Sequence, residues 1–280
     1  MQITVVSKND IKGGAAIAAL RLHKTFREYG SRLEINSKMR VISKGSKCEE
    51  VYGEKSYLLK KRIGLNNKFE RILQKLQCTS NTNYHSMSLF PSGIHKELNN
   101  SSSEIINIHW VQGGMLSIEE IAKIKKPCVW TLHDAWAFSG SEHYPNGIED
   151  YRFKNGYIKE NKPYTHKRID LDRWCWQRKC KRWKSPYHIV CPSNWLADNA
   201  KKSSLMGDWP IRTIPNPLNT NIFKPSDKKL ARKIFNLPLS KPLLLFAGAN
   251  GIKEKRKGWH LLERSIKKLK HLSKKSKRLQ

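Results

Sequence analysis

Two pairs of side chains in the stretch Ile105–His143 could do chemistry: His109-Trp110 and His133-Asp134. An imidazole titrates near neutral pH, so it can take a proton, give one, or hydrogen-bond a hydroxyl without changing charge. A carboxylate beside it can orient the ring or bind a hydroxyl itself. Near the N-terminus, Gly13-Gly14 opens an apolar helical stretch. Glycines there expose backbone N–H groups at the positive end of a helix, an arrangement that suits phosphate.

These residues need a frame. Ile105–Ile108 and Cys128–Leu132 are short runs of strand length, rich in β-branched and aromatic residues. Between them SIEEIAKIKK places Ile118, Ile121 and Ile124 at helical spacing. The unit reads as β–α–β, which builds parallel sheet. His109 and Trp110 follow the first strand, and His133 and Asp134 follow the second. Ligands in open parallel sheets sit beyond the carboxyl ends of the strands, so these four residues are expected on the floor of a site.

The remaining pattern is also α/β. Gln2–Val6 reads as a strand, Ala15–Tyr29 as a helix ended by Gly30 in a C′ role, and Met39–Ser43 as a second strand. A basic helix is expected near Lys60–Leu76. His188–Pro192 and Ile211–Ile214 are further strands, with Ser193 as an N-cap. Asp170-Leu171-Asp172 could ligate a cation, but the run RWCWQRKCKRW that follows reads better as a basic helix with buried tryptophans. Three prolines at 215, 217 and 225 mark a linker. LLLFAGA then starts a second sheet, followed by a glycine-bearing turn at Gly248–Gly251. A final apolar stripe comprises Trp259, Leu262, Ile266, Leu269 and Leu272.

Lys and Arg number 54 against 23 acids, a net charge of +31 that favours anionic partners while also serving as a solvated surface. No apolar run approaches the roughly 18–20 residues of a membrane span, and MQITVVSKND is not a signal peptide. The six cysteines form no CxxC pair, which predicts no structural metal and fits a cytoplasmic protein. A nucleic-acid-binding role is set aside because no such motif is present.

HDAWAFSG after a strand, IHW before it and KGGAAIAALRLH near the N-terminus resemble the family-4 glycosyltransferases. The likeness is closest to the colanic-acid and capsular-polysaccharide subgroup, with its WTLHDxWxFxG signature, and runs from about residue 1 to about residue 262. IPNPLNTNIFKP resembles that family's IPNGxDxxxFxP linker, with Asn219 in place of Asp. Residues 226–237 resemble its lead-in helix, and Lys257-Gly258 its KG pair. Relatives carry cysteines after the HDxW segment; here Ser141 stands where the first would be.

The resemblance implies a GT-B type fold: a Rossmann-like N-terminal domain over 1–214, a linker over 215–240, and the start of a nucleotide-sugar domain over 241–280. It implies retaining, metal-independent transfer from a nucleotide-sugar donor, a substrate rather than a cofactor, to a polysaccharide or lipid-linked acceptor. Gly13 and Gly14 would crowd the donor diphosphate, and Lys257, helped by Arg256 or Lys253, would neutralise it. His133 and Asp134 would act at the reacting sugar, while His109 and Trp110 would shape the acceptor side. The family's Glu-x7-Glu element is expected beyond residue 280. The alternative is therefore a truncated, catalytically inactive module that binds acceptor or an anionic membrane at the inner face.

Overall fold

In a computed structural model of the protein, residues 1–79, 81, 83–145, 151–248 and 251–276 are described. The chain divides into two compact units, Met1–Leu218 and Asn219–Gln280.

The first unit is built on seven parallel strands: β1 (Gln2–Val6), β2 (Asn36–Arg40), β3 (Val51–Tyr52), β4 (Ile105–Ile108), β5 (Cys128–Thr131), β6 (His188–Cys191) and β7 (Ile211–Thr213). Their order across the sheet is β3-β2-β1-β4-β5-β6-β7. Among the described residues this unit has seven α-helices: α1 (Gly14–Tyr29), α2 (Tyr57–Gln74), α3 (Ile94–Asn100), α4 (Ile118–Ile121), α5 (Arg152–Asn155), α6 (Leu171–Arg182) and α7 (Asn194–Lys201). The fold is thus the expected Rossmann-like α/β arrangement. The order reverses between β1 and β4, and that junction is where such sheets open a crevice for ligands.

Both sheet faces are buried, as parallel strands require. Successive side chains of a strand point to opposite faces. Accordingly Val5 joins Ala19, Leu20, Met39, Val41 and Val51 on the α1 side, while Val6 joins Ile106, Ile108, Trp130 and Leu132 in the larger core. Trp130, Trp136 and Trp183 meet in that core with ring centroids 5.3–6.3 Å apart.

Several expectations shift. The second strand lies three residues earlier than Met39–Ser43, because Asn36 pairs with Gln2 and the ladder ends at Arg40. Val41 and Ile42 still donate to Tyr52 and Lys8 carbonyls, but outside the strand. The helix expected over 117–126 is only α4, held by a capping box between Ser117 and Glu120. Glu120 also accepts from the backbone of Ser92 and Gly93 and from His95, so it serves as a buried hub rather than as helix surface. Gly30 keeps φ at −68° and is no left-handed cap. A Cβ there would sit 2.6 Å from the Ile35 carbonyl oxygen, so close approach is what calls for glycine. β3 and α3 carry too little periodicity to be expected.

The second unit contains α8 (Lys228–Ile234), capped by Asp227, and α9 (Trp259–Ser276). The expected strand LLLFAGA finds no pairing strand among the described residues of this unit, and Leu243, Leu244 and Leu245 are exposed. Residues 249 and 250 of the expected turn lie outside the described residues, as do the side chains of Lys253 and Leu272. The apolar stripe of α9 is partly covered: Trp259 meets Phe246 at 5.2 Å, and Leu262 and Ile266 are half-buried, whereas Leu269 is exposed.

Candidate functional site

β1, β4 and β5 are neighbours, so their carboxyl ends lie side by side, roughly 4.8 Å per strand. Lys8 follows β1, His109 and Trp110 follow β4, and His133 and Asp134 follow β5. The sheet therefore brings four of the expected site residues together, and adds Lys8.

The two imidazoles form a directed chain. The Nδ2 group of Asn107, in β4, donates to the Val129 carbonyl at 3.0 Å and to Thr131 Oγ1 at 3.2 Å. Its Oδ1 therefore faces His109 Nε2, 2.7 Å away, as an acceptor. His109 Nε2 carries the proton, and its Nδ1 is left as an acceptor. That Nδ1 lies 2.8 Å from His133 Nε2, which must donate. The rings stack at 5.1 Å with a 24° tilt. A neutral His133 then presents Nδ1 as a lone pair with no hydrogen-bond partner among the described residues. Burial lowers the pKa of His133 to about 4 against a weaker raising effect of Asp134, and burial together with His133 lowers that of His109 well below the ordinary value. Both rings are neutral at physiological pH, as the chain of donors requires.

Asp134 plays a different part. Burial disfavours its carboxylate, but this is outweighed by His143, by the Trp136 N–H and by His133, which together lower its pKa. Its oxygens accept from His143 Nδ1 at 2.6 Å, Trp110 Nε1 at 3.1 Å and the Trp136 backbone at 3.0 Å. The ring of His133 gives its hydrogen bond to His109 instead. Asp134 thus fixes the Trp110 indole and the turn after β5. His143 Nε2 lies 2.8 Å from Ser86 Oγ, and Tyr84 packs on His143 and Trp110 at 4.8 and 6.1 Å, walling one side.

Lys8 donates to the Gly113 carbonyl at 2.6 Å and lies 5.9 Å over the Trp110 ring. Burial lowers its pKa, against an opposing pull from Glu70. Gly113 has φ +66°, and a Cβ there would meet Lys8 Nζ at 2.4 Å, so the glycine makes room for the ammonium. Five residues after Lys8, Gly13 has φ +94° and precedes α1, whose N-terminus has neither a side-chain cap nor an acid in its first turn. A Cβ at Gly13 or Gly14 would meet nothing within 4 Å, so the space beside these amides is open.

Arg256 and Lys257 belong to the second unit. Arg256 pairs with Glu254 at 3.7 Å, and the stem of Lys257 runs against Gly248.

Sequence reasoning missed Lys8, Asn107 and His143. Asn107 carried a legible signal, a single amide inside the apolar run IINI. Lys8 and His143 had none, since each lies within a polar loop.

Two buried groups have the residue types of a metal centre: His85, Glu142 and Asp172, and His166, Asp170 and Asp172. Most of their atoms are already engaged, although His85 Nε2 is buried without a hydrogen-bond partner among the described residues. Asp172 accepts from Gln77 Nε2 at 3.0 Å, from His85 Nδ1 at 3.1 Å and from Ser141 Oγ. Asp170 caps α6 and pairs with Arg152 at 2.5 Å, and Tyr157 donates to Glu142. The Asp-Leu-Asp segment therefore stitches the stretch after Ser141 to the core. Lys179 completes the stitch: fully buried, it donates to the carbonyls of Trp136, Ser139 and Gly140, the last at 2.6 Å, and sits 4.0 Å over the Trp136 ring.

Comparison with known protein families and with curated proteins gave no match.

Proposed function

We propose that the protein is a glycosyltransferase of GT-B type that moves a sugar from a nucleotide-sugar donor to a surface-polysaccharide or lipid-linked acceptor. The observation that carries this reading is the Nδ1 lone pair of His133, held neutral by His109 and Asn107 at the end of β5 and beside the reversal in strand order. A neutral imidazole with a directed lone pair suits a hydroxyl donor, such as the transferred sugar or the incoming acceptor. The uncapped α1 terminus at Gly13-Gly14 and the Lys8 ammonium suit the donor diphosphate. In the second unit Lys257 and Arg256 supply further cations for the leaving diphosphate. His109 positions His133, while Trp110, held by Asp134, offers an aromatic wall to the acceptor. Transfer proceeds with retention and without a metal, by an enzyme held at the inner membrane face.

A second reading, binding of acceptor or membrane without transfer, is favoured by one observation: the second unit forms no strand among its described residues to frame a nucleotide. Release of nucleoside diphosphate from a panel of nucleotide sugars, with a lipid extract as acceptor, decides between them. Donor-dependent release that falls by at least about 100-fold in His133→Ala supports transfer. No release with any donor, in protein that keeps its near-ultraviolet dichroism, overturns it.

A further inference from the structure

Helix α2 presents an apolar and cationic face to solvent. Its inner side is anchored by Ile63, by Leu59 and Leu73, and by Glu70, whose buried carboxylate accepts the N–H groups of Ser88 at 3.1 Å and Leu89 at 2.6 Å. Glu70 is the only acid between Tyr57 and Leu76, so the outer face carries none. On that face Leu58, Leu65 and Ile72 recur every seven residues and are 76%, 56% and 59% exposed. Phe69, at 49%, and Leu76, at 43%, extend the row. At 100° per residue Leu58, Leu65, Phe69 and Ile72 fall within an arc of about 60°, and Leu76 follows in the 3-10 turn Lys75–Gln77. Lys61, Lys68 and Lys75, also seven apart, form an adjoining exposed row. Toward the end of the helix Lys68, Arg71, Ile72 and Lys75, with Cys78 and Thr79, line an open concavity of about 710 Å³.

A helix of a soluble domain normally turns polar residues outward, and contiguous exposed apolar rows mark contact surfaces. An apolar row flanked by lysines, without acids, has the makings of a helix that lies in a lipid interface. We infer that α2 docks the protein on an anionic bilayer: the Leu58–Leu76 row enters the acyl boundary, the lysine row meets headgroup phosphates, and the concavity takes one lipid phosphate. Charge selects this occupant over a second copy of the chain. Pairing α2 with itself would oppose two lysine rows on molecules of net charge +31, whereas an anionic surface neutralises them. The inference deepens the proposed function by naming the membrane-facing surface, and it rests on that reading only for the choice of a lipid partner.

The test is co-sedimentation of the full chain with phosphatidylglycerol–phosphatidylcholine vesicles and with pure phosphatidylcholine vesicles, at low and high salt. The wild type is expected to bind the anionic vesicles only. Replacing Lys61, Lys68 and Lys75 by Gln weakens binding by about a hundredfold, roughly fivefold per lysine. Replacing Leu58, Leu65 and Ile72 by Ser abolishes the binding that survives high salt. Lys228→Gln, Lys229→Gln and Lys233→Gln together, on α8, leave it within a few fold. Equal loss in the α8 and α2 lysine variants, equal binding to neutral vesicles, or a dimer that the serine variant dissolves would each overturn the inference. Nucleoside diphosphate release in detergent, without vesicles, tests transfer separately. Loss there with vesicle binding intact sinks the transferase reading alone, and the converse sinks docking alone.

Discussion

The neutral His133–His109 pair leads to a pH effect whose sign and size follow from the geometry. The folded state lowers the pKa of His133 to about 4, from 6.5. Above pH 6.5 neither folded nor unfolded chain binds this proton, and the contribution to stability is complete. As pH falls below 6.5 the unfolded chain takes up the proton and the folded chain does not, so stability falls until the folded ring protonates near pH 4. One pH unit in that window is about 1.4 kcal/mol, and the integral between pH 7 and pH 5 is about 2 kcal/mol. His133→Gln removes the titration, and His23, also lowered to about 4, is common to both proteins and cancels. Urea unfolding of wild type and variant at pH 7 and pH 5 should show the wild type losing about 2 kcal/mol more across the interval. Nitrogen-15 ring spectra at pH 6 should show both histidines neutral, with the proton on Nε2. An equal pH loss in the two proteins, or a His133 ring protonated at pH 6, would refute the donor chain and with it the Nδ1 lone pair.

Three further substitutions probe the supports of the site. Asp134→Asn leaves one carbonyl oxygen where a carboxylate met three donors, so thermal unfolding should show a loss of about 2–4 kcal/mol, with Trp110 fluorescence shifting as its indole is released. Lys179→Met strands the carbonyls of Trp136, Ser139 and Gly140 in the core; the unfolding free energy from urea titration should fall by about 3–5 kcal/mol, and no loss would show the ammonium to be dispensable. Gly113→Ala drives a methyl into Lys8 Nζ at a φ of +66°; calorimetry should show nucleoside diphosphate binding weakened by about tenfold, at a stability cost of about 1–2 kcal/mol.

The sheet was legible because burial on both faces leaves a strong mark: CVW is an unbroken apolar run and IINI is interrupted only by Asn107, and β4 and β5 form where those runs stand. The same reasoning placed His109, Trp110, His133 and Asp134 at one edge, since a parallel sheet aligns the ends of its strands. It could not assign their partners. Asp134 follows His133 directly, and adjacency in sequence suggests a pair, yet the backbone sends the two side chains apart. The carboxylate goes to Trp110 and to His143, nine residues on, while the imidazole goes to His109 on the neighbouring strand. Such cross-strand choices depend on register, which no local pattern encodes. Periodicity failed in a second way at Glu120 and Lys179. Periodicity gives neither a place in the core, yet each is buried because it meets backbone groups of distant turns, Glu120 the N–H groups at Ser92 and Gly93, Lys179 three carbonyls after β5. In both cases a charge replaces a cap that the chain could not make locally. The LLLFAGA run shows the opposite limit: its composition specifies a strand, but a strand exists only when another lies beside it to take its hydrogen bonds. Local sequence therefore fixed where site residues stand along the sheet edge, and long-range polar contacts decided which of them present a reactive atom.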